Sequence, residues 1–190
     1  MKKIFLMFVM AGAFAVSQAQ QVSYGVKGGL NVSNVGGEDT DGNKAKLGFY
    51  AGGFVNVAVA ESFSIQPELV FSLQGAKFDD DAKINMSYLN IPVLARYTTR
   101  SGFFGETGPQ LGFLMSAKQK GDGGSANVKD YFKKTDFSWA FGVGYLSQSN
   151  IGVNARFNLG LSKLDEDGEA KVFNRVFQVG LFYVLGNNSK

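Results

Sequence analysis

Eight segments in which apolar residues alternate with small or polar ones are joined by seven connections that run long, short, long, short, long, short, long. The long connections, Asn34 to Lys46, Ala76 to Lys83, Ala117 to Thr135 and Lys163 to Lys171, are polar and hold most of the acidic residues. The short ones, Ala60 to Ser62, Thr99 to Gly102 and Ser147 to Asn150, read as tight turns. A period of two marks strands with two unlike faces. Strands returning through alternate loops and tight turns predict an all-β fold, an eight-stranded antiparallel up-and-down transmembrane β-barrel, with its long loops outside and its turns in the periplasm. Odd strands then run outward, and both mature termini are periplasmic.

The two faces can be written out. The first segment sets Val22, Tyr24, Val26, Leu30 and Val32 against Ser23, Gly25, Lys27, Asn31 and Ser33. The sixth sets Phe137, Trp139, Phe141, Val143 and Tyr145 against Asp136, Ser138, Ala140, Gly142 and Gly144. The fifth is less regular, with Phe103, Leu111, Phe113 and Met115 opposite Glu106, Gln110, Gly112 and Ser116. Volume decides which face points outward. An eight-stranded barrel has an interior only just wide enough for side chains, so the faces rich in Phe, Tyr, Trp and Leu must meet lipid. The faces rich in Gly, Ser, Asn and Ala, with a few charges, must point inward. A soluble lipid-binding barrel would reverse this assignment. Tyr24, Phe63, Tyr97, Phe103, Tyr145 and Tyr183 all fall on the outward face beside a turn or terminus, as a periplasmic aromatic girdle requires.

Residues 1–19 read as a secretory signal peptide: Lys2 and Lys3 form a charged start, Ile4 to Val16 an apolar run, and Ser17-Gln18-Ala19 a small-x-small cleavage site. That apolar run is too short to span a hydrocarbon core of about 30 Å as a helix. Residues 20–190 are left as one barrel domain, exported through the periplasm to the cell outer membrane. Removing Lys2 and Lys3 takes the basic count from 19 to 17 against 16 acids, which gives no basic footprint for nucleic acid. The absence of cysteine excludes disulfides and thiolate metal sites.

Four stretches together resemble the PorT-like outer-membrane β-barrel family of Bacteroidetes-type bacteria: Gln66-Pro67-Glu68-Leu69, Tyr88 to Tyr97 (YLNIPVLARY), Gly108 to Leu114 (GPQLGFL) and Asp136-Phe137-Ser138-Trp139. The resemblance covers essentially the whole mature chain and implies an OmpA- or OmpX-like eight-stranded barrel. It implies little about activity, since the namesake belongs to a protein-secretion apparatus and most members have no assigned role. The last segment also resembles the signal by which the outer-membrane assembly machinery reads such strands, through Gln178, Gly180, Tyr183 and Leu185. It departs from that pattern by continuing through Gly186 to Lys190.

Chemistry is mostly missing. Without histidine or cysteine no Ser-His triad, Cys nucleophile or common metal site can be built, so an enzyme is not expected and neither is a cofactor. Asp79-Asp80-Asp81 and Asp165-Glu166-Asp167 carry oxygen ligands suited to Ca²⁺, but neither has EF-hand spacing, and solvated loop charge is the plainer reading. Gly28-Gly29 and Gly121 to Gly124 are not nucleotide loops, because no helix follows either group. The inward charges Lys27, Glu68, Arg96, Glu106 and Arg156 lie four to six residues above their nearest periplasmic end, which predicts one layer of paired charge in the lower half of the bore. Arg96 and Glu106 fall directly opposite if the turn spans Arg100 to Gly102. Such a layer could be a gate or proton path, or the polar filling of a small barrel; filling is the favoured reading. The expectation is a monomeric barrel in outer-membrane lipid, with a plugged interior and a structural or interaction role exercised through its outer loops. A narrow porin-like channel and a component of a secretion apparatus stay open, and no protein partner is identified.

Overall fold

The computed structural model describes residues 21–37, 44–77, 83–121, 124–162 and 172–188. The expected signal peptide and both acidic clusters, Asp79 to Asp81 and Asp165 to Asp167, lie outside the described residues. Eight long strands form the wall: β1 (Val22–Gly37), β2 (Lys44–Ala58), β3 (Phe63–Lys77), β4 (Lys83–Thr98), β5 (Phe103–Gly121), β7 (Thr135–Leu146), β8 (Ile151–Gly160) and β9 (Val172–Asn188). A short β6 (Gly124–Asn127) doubles back on the end of β5 and leads into a 3-10 turn at Lys129–Tyr131. Each wall strand pairs antiparallel with its sequence neighbours, and β1 pairs with β9 from Val22 to Gly37, so the sheet closes on itself. Closure satisfies the backbone within the wall, the condition for β-structure in lipid.

The alternation holds its phase through nearly all of the wall. Leu30, Phe49, Leu69, Phe141, Val143, Val179 and Leu181 are exposed on the outside, whereas Asn31, Tyr50, Ser72, Ala140 and Gln178 are buried inside. The six expected girdle residues are all exposed; the Phe63 and Tyr97 rings lie 5.0 Å apart and those of Phe103 and Tyr145 4.9 Å apart across neighbouring strands. One phase differs from the expected one. Register against β4 shifts so that Ser87 faces Ser116 while Tyr88 faces Leu114. The extra β5 residue passes the inward position to Ala117, which is fully buried, and leaves Ser116 only partly covered. A bulge of this kind is invisible to a strict period of two.

Two of the three short turns share one design. Thr99 N–H donates to Phe103 O at 2.8 Å and Ser147 N–H to Ile151 O at 2.9 Å; Gly102 N–H and Asn150 N–H return to Thr99 O and Ser147 O. Gly102 and Asn150 occupy the left-handed region, with φ of 93° and 63°, which glycine and asparagine tolerate best. The long connections are shorter as loops than their composition implies, since β1 runs to Gly37, β2 starts at Lys44 and β5 reaches Gly121.

Candidate functional site

The interior is layered along the barrel axis. Nearest the turns, Phe54, Phe104, Phe182 and Val184 form a buried apolar cluster with Leu146 against it. The Phe182 ring meets Phe54 edge-on at 5.9 Å and Phe104 at 5.8 Å. Each ring also covers a glycine directly opposite on the neighbouring strand: Phe54 over Gly25, Phe104 over Gly144 and Phe182 over Gly152. A Cβ at any of the three would collide with the ring, so the missing side chains make the room that the plug occupies. This plug was not expected, because the volume argument assigned large apolar residues outward as a class. The signal was nonetheless present: Phe54 is in phase with Tyr50, Phe104 with Glu106, and Phe182 with Gln178.

Directly above lies the charge layer, and the structure brings together Lys27, Glu68, Arg156, Glu106 and Arg96 in one continuous chain of ion pairs. Lys27 Nζ donates to Glu68 Oε2 at 3.1 Å. Arg156 Nη1 and Nη2 donate to the two Glu68 oxygens, both at 2.8 Å, in a bidentate clamp. The other edge of the same guanidinium donates to Glu106 Oε1 through Nε, at 2.9 Å, and through Nη2. Arg96 closes the chain on Glu106 Oε2, from Nη2 at 2.7 Å and Nε at 3.2 Å. Arg96 and Glu106 are direct cross-strand partners.

Three cations thus meet two carboxylates, all of them buried. The arrangement is further satisfied from its edges. Gln66 Nε2 donates to Glu68 Oε1 at 2.7 Å and is itself held by Asn56, whose Nδ2 donates to Gln66 Oε1 at 3.1 Å. The Arg96 guanidinium stacks 3.9 Å over the centre of the Phe104 ring, and the Lys27 ammonium lies 5.9 Å from that of Tyr50. A buried charge is tolerable when it is paired and hydrogen-bonded in this way.

Towards the loops the filling becomes mostly uncharged, with Asp136 a buried acid whose Oδ1 accepts from Ser162 Oγ at 2.7 Å. Asn31 Nδ2 donates to Ser72 Oγ at 2.9 Å, Asn174 Nδ2 to Gln74 Oε1 at 2.6 Å, and Gln110 Nε2 to Ser138 Oγ at 3.1 Å. A second apolar cluster follows, of Met86, Tyr88, Leu114 and Ala117, with Ile84, Val128 and Phe132 packed against it. Val128 and Phe132 come from the β5–β7 connection, which is tied down by Val128 N–H to Ala117 O and Leu114 N–H to Lys134 O.

The outward faces, the girdle and the layered bore describe a membrane barrel, and the comparisons with known proteins agree. No curated protein matches the chain in sequence. Its backbone superposes on Ail, the attachment invasion locus protein of Yersinia pestis, solved in complex with the heparin analogue sucrose octasulfate, with a TM-score of 0.51 and 17% identity over 88% of this chain and 100% of that one. Neisserial surface protein A (NspA) gives a TM-score of 0.61 at 11% identity, covering 85% of this chain and 97% of that one. At such identities the likeness shows the fold. Residues 18–166 match the model of the outer membrane protein beta-barrel domain, most of the chain, and the protein belongs to that family as an eight-stranded barrel of the outer membrane.

Proposed function

We propose that this barrel is a sealed, non-conducting scaffold, with a structural or interaction role exercised at its loop end. The observation that carries the reading is the order of layers: a ring plug, a five-residue ion chain, a hydrogen-bonded zone of mostly uncharged side chains and a second apolar cluster follow one another along the bore. A narrow channel would need water to pass all four. Reconstitution in planar bilayers tests this directly: the sealed reading expects no stable unitary conductance in the wild type, and reproducible channels would reverse it.

The PorT-like resemblance supports a finer reading of kinship. Its motifs lie in β3, β4, β5 and β7, and Gln66, Glu68, Asn90, Arg96, Gln110, Asp136 and Ser138 within them all point into the bore. What the motifs share is therefore the interior filling, which favours a common barrel packing over a common secretion task. Membership of a secretion apparatus would show as a stable protein partner after crosslinking and co-purification from outer membranes. The same preparation tests export, since removal of the signal peptide leaves a mature chain beginning at Gln20, readable by mass spectrometry.

A further inference from the structure

Asp136 stands apart from the ion chain. It opens the inward face of β7 and is buried. Ser162 Oγ donates to its Oδ1 at 2.7 Å and Asn174 adds a further side-chain hydrogen bond, so both partners are uncharged. Among the described residues no lysine or arginine pairs with it. The ion chain is too far away to serve. Arg156 faces Gly142, six residues along β7 from Asp136, which is roughly 15 Å at about 3.4 Å per residue and a tilt of about 40°. An ionised carboxylate has about four acceptor sites, and Ser162 and Asn174 fill only part of them. A buried charge left with neutral donors alone is costly.

Beside this acid the wall leaves room. Asn90, Gly112 and Asp136 are direct partners in one row across β4, β5 and β7. The point that a Gly112 Cβ would occupy is 2.8 Å from Asn90 Oδ1, 3.4 Å from Tyr88 Cδ1 and 3.6 Å from Asp136 Cβ. The glycine therefore leaves a nook between an amide oxygen and an acidic side chain, walled by a ring. Asn90 is 3% exposed, and among the described residues nothing hydrogen-bonds its side chain. Buried polar groups are normally satisfied, so an unpaired amide aimed at the space beside this carboxylate calls for a ligand between them. One inward step lower, Gln110 and Ser138 add an amide and a hydroxyl. Carboxylate, amide and hydroxyl oxygens suit a hard cation, and such a mixed, irregular set suits calcium better than magnesium. We infer that the nook between Asn90, Gly112 and Asp136 is a binding site for a hard divalent cation of calcium size, held weakly because a single carboxylate supplies the charge. Tyr88 belongs to the loop-end apolar cluster, so the ion enters when that cluster opens and, once bound, ties β4 to β7 beneath the loops. The site needs the inward phase of these strands but not a sealed bore, which conductance tests separately.

The probe is terbium(III), which occupies calcium sites and emits when a nearby tyrosine is excited, titrated into the full mature barrel in detergent with Ca²⁺, Mg²⁺ or Na⁺ as competitor. The wild type should show saturable emission that Ca²⁺ displaces at submillimolar to millimolar concentration, the range of sites with few charged ligands, and that Mg²⁺ and Na⁺ displace less readily. Asp136→Asn should weaken binding roughly tenfold or more, and so should Gly112→Ala, by filling the nook. Asn90→Asp should strengthen it, because a second carboxylate joins the site. Should Gly112→Ala fail to fold, Asn90→Asp carries the same test through unfolding, with Ca²⁺ raising its midpoint more than that of the wild type. No saturable emission in the wild type, or emission unchanged by Asp136→Asn, would overturn the inference. Loss of emission when Asp79 to Asp81 and Asp165 to Asp167 are changed to their amides would overturn it too, by placing the ion on the loops. Weaker Ca²⁺ binding in Asn90→Asp would make Asn90 a hydrogen-bond donor to Asp136 and not a ligand, and Na⁺ displacing as readily as Ca²⁺ would refute the divalent assignment.

Discussion

At the turn end, Phe54, Phe104 and Phe182 close the bore from strands that are themselves the wall, each ring seated on a glycine of the adjacent strand. At the loop end, Met86, Tyr88, Leu114 and Ala117 line the wall but are covered by Val128 and Phe132, which arrive from a connection. The first seal forms as a consequence of closing the barrel, because Phe182 of β9 meets Phe54 of β2 and Phe104 of β5 across the bore. The second requires a further ordering step after the wall exists. The ion chain leans on the first seal, through Arg96 stacked on Phe104, and makes no such contact with the second. Stability should therefore concentrate at the turn end, and freedom to rearrange at the loop end.

The largest effect expected on this comparison comes from the ion chain. Arg156 is buried and grips both Glu68 and Glu106, so Arg156→Ala cuts the ion chain in two and leaves Glu68 to Lys27 and Glu106 to Arg96, above the aromatic plug. The loss should lie in the range of about 3–5 kcal/mol for removing one partner of a buried pair. Reversible urea unfolding into lipid vesicles measures it; a cost below about 1 kcal/mol would mean that water already reaches the layer and that the turn-end seal does not exclude it.

Next comes the seal itself. Phe182 joins the other two rings, and Phe182→Ala removes both edge contacts and uncovers Gly152. Such a core truncation costs about 3–5 kcal/mol, here nearer the lower bound because neighbouring rings can close in. Gly152→Val attacks the same contact from the other side by overpacking, at about 1–3 kcal/mol. If neither change alters unfolding while both permit ion flux, the rings act as a removable gate and the asymmetry of the two ends is lost.

How much of this could be read in the chain follows the same division. The wall was readable because alternation is a local property, and Val22 to Val32 or Phe137 to Tyr145 display it without help from any other strand. The five charges could be placed at one height by counting from the turns, since a turn at Arg100 to Gly102 sets Arg96 against Glu106. The aromatic plug was not readable from volume alone: an inward Phe104 is permitted only because Gly144, forty residues away in the chain, faces it. The bulge at Ser116 and the fold-back of β6 depend likewise on what β4 and the β5–β7 connection do, which no single segment states.

A smaller effect measures how directly neighbouring members of the layer cooperate. Arg96 and Glu106 meet through two hydrogen bonds, while Glu106 also keeps Arg156. Arg96→Ala combined with Glu106→Gln should therefore recover part of the loss of the single variant, with a coupling of about 0.5–3 kcal/mol in a double-mutant cycle. Strict additivity would refute direct pairing. It would also leave the stacking on Phe104 as the main way in which Arg96 joins the layer to the turn-end seal.

The smallest expected effect tests the loop end. Phe132 is only half-buried and belongs to a connection, so Phe132→Ala should cost about 1 kcal/mol, well below the 1.5–3 kcal/mol of burying such a side chain fully. Its consequence should be local: hydrogen exchange at the amides of Val128 and Leu114, which donate to Ala117 O and Lys134 O, should accelerate while those of Phe104 and Phe182 stay protected. Conductance should remain absent, because the ion chain and the ring plug still close the bore beneath. If Phe132→Ala instead destabilises the whole barrel as much as Phe182→Ala, the connection is part of the cooperative wall, and the loop end is no freer to engage a partner than the turn end.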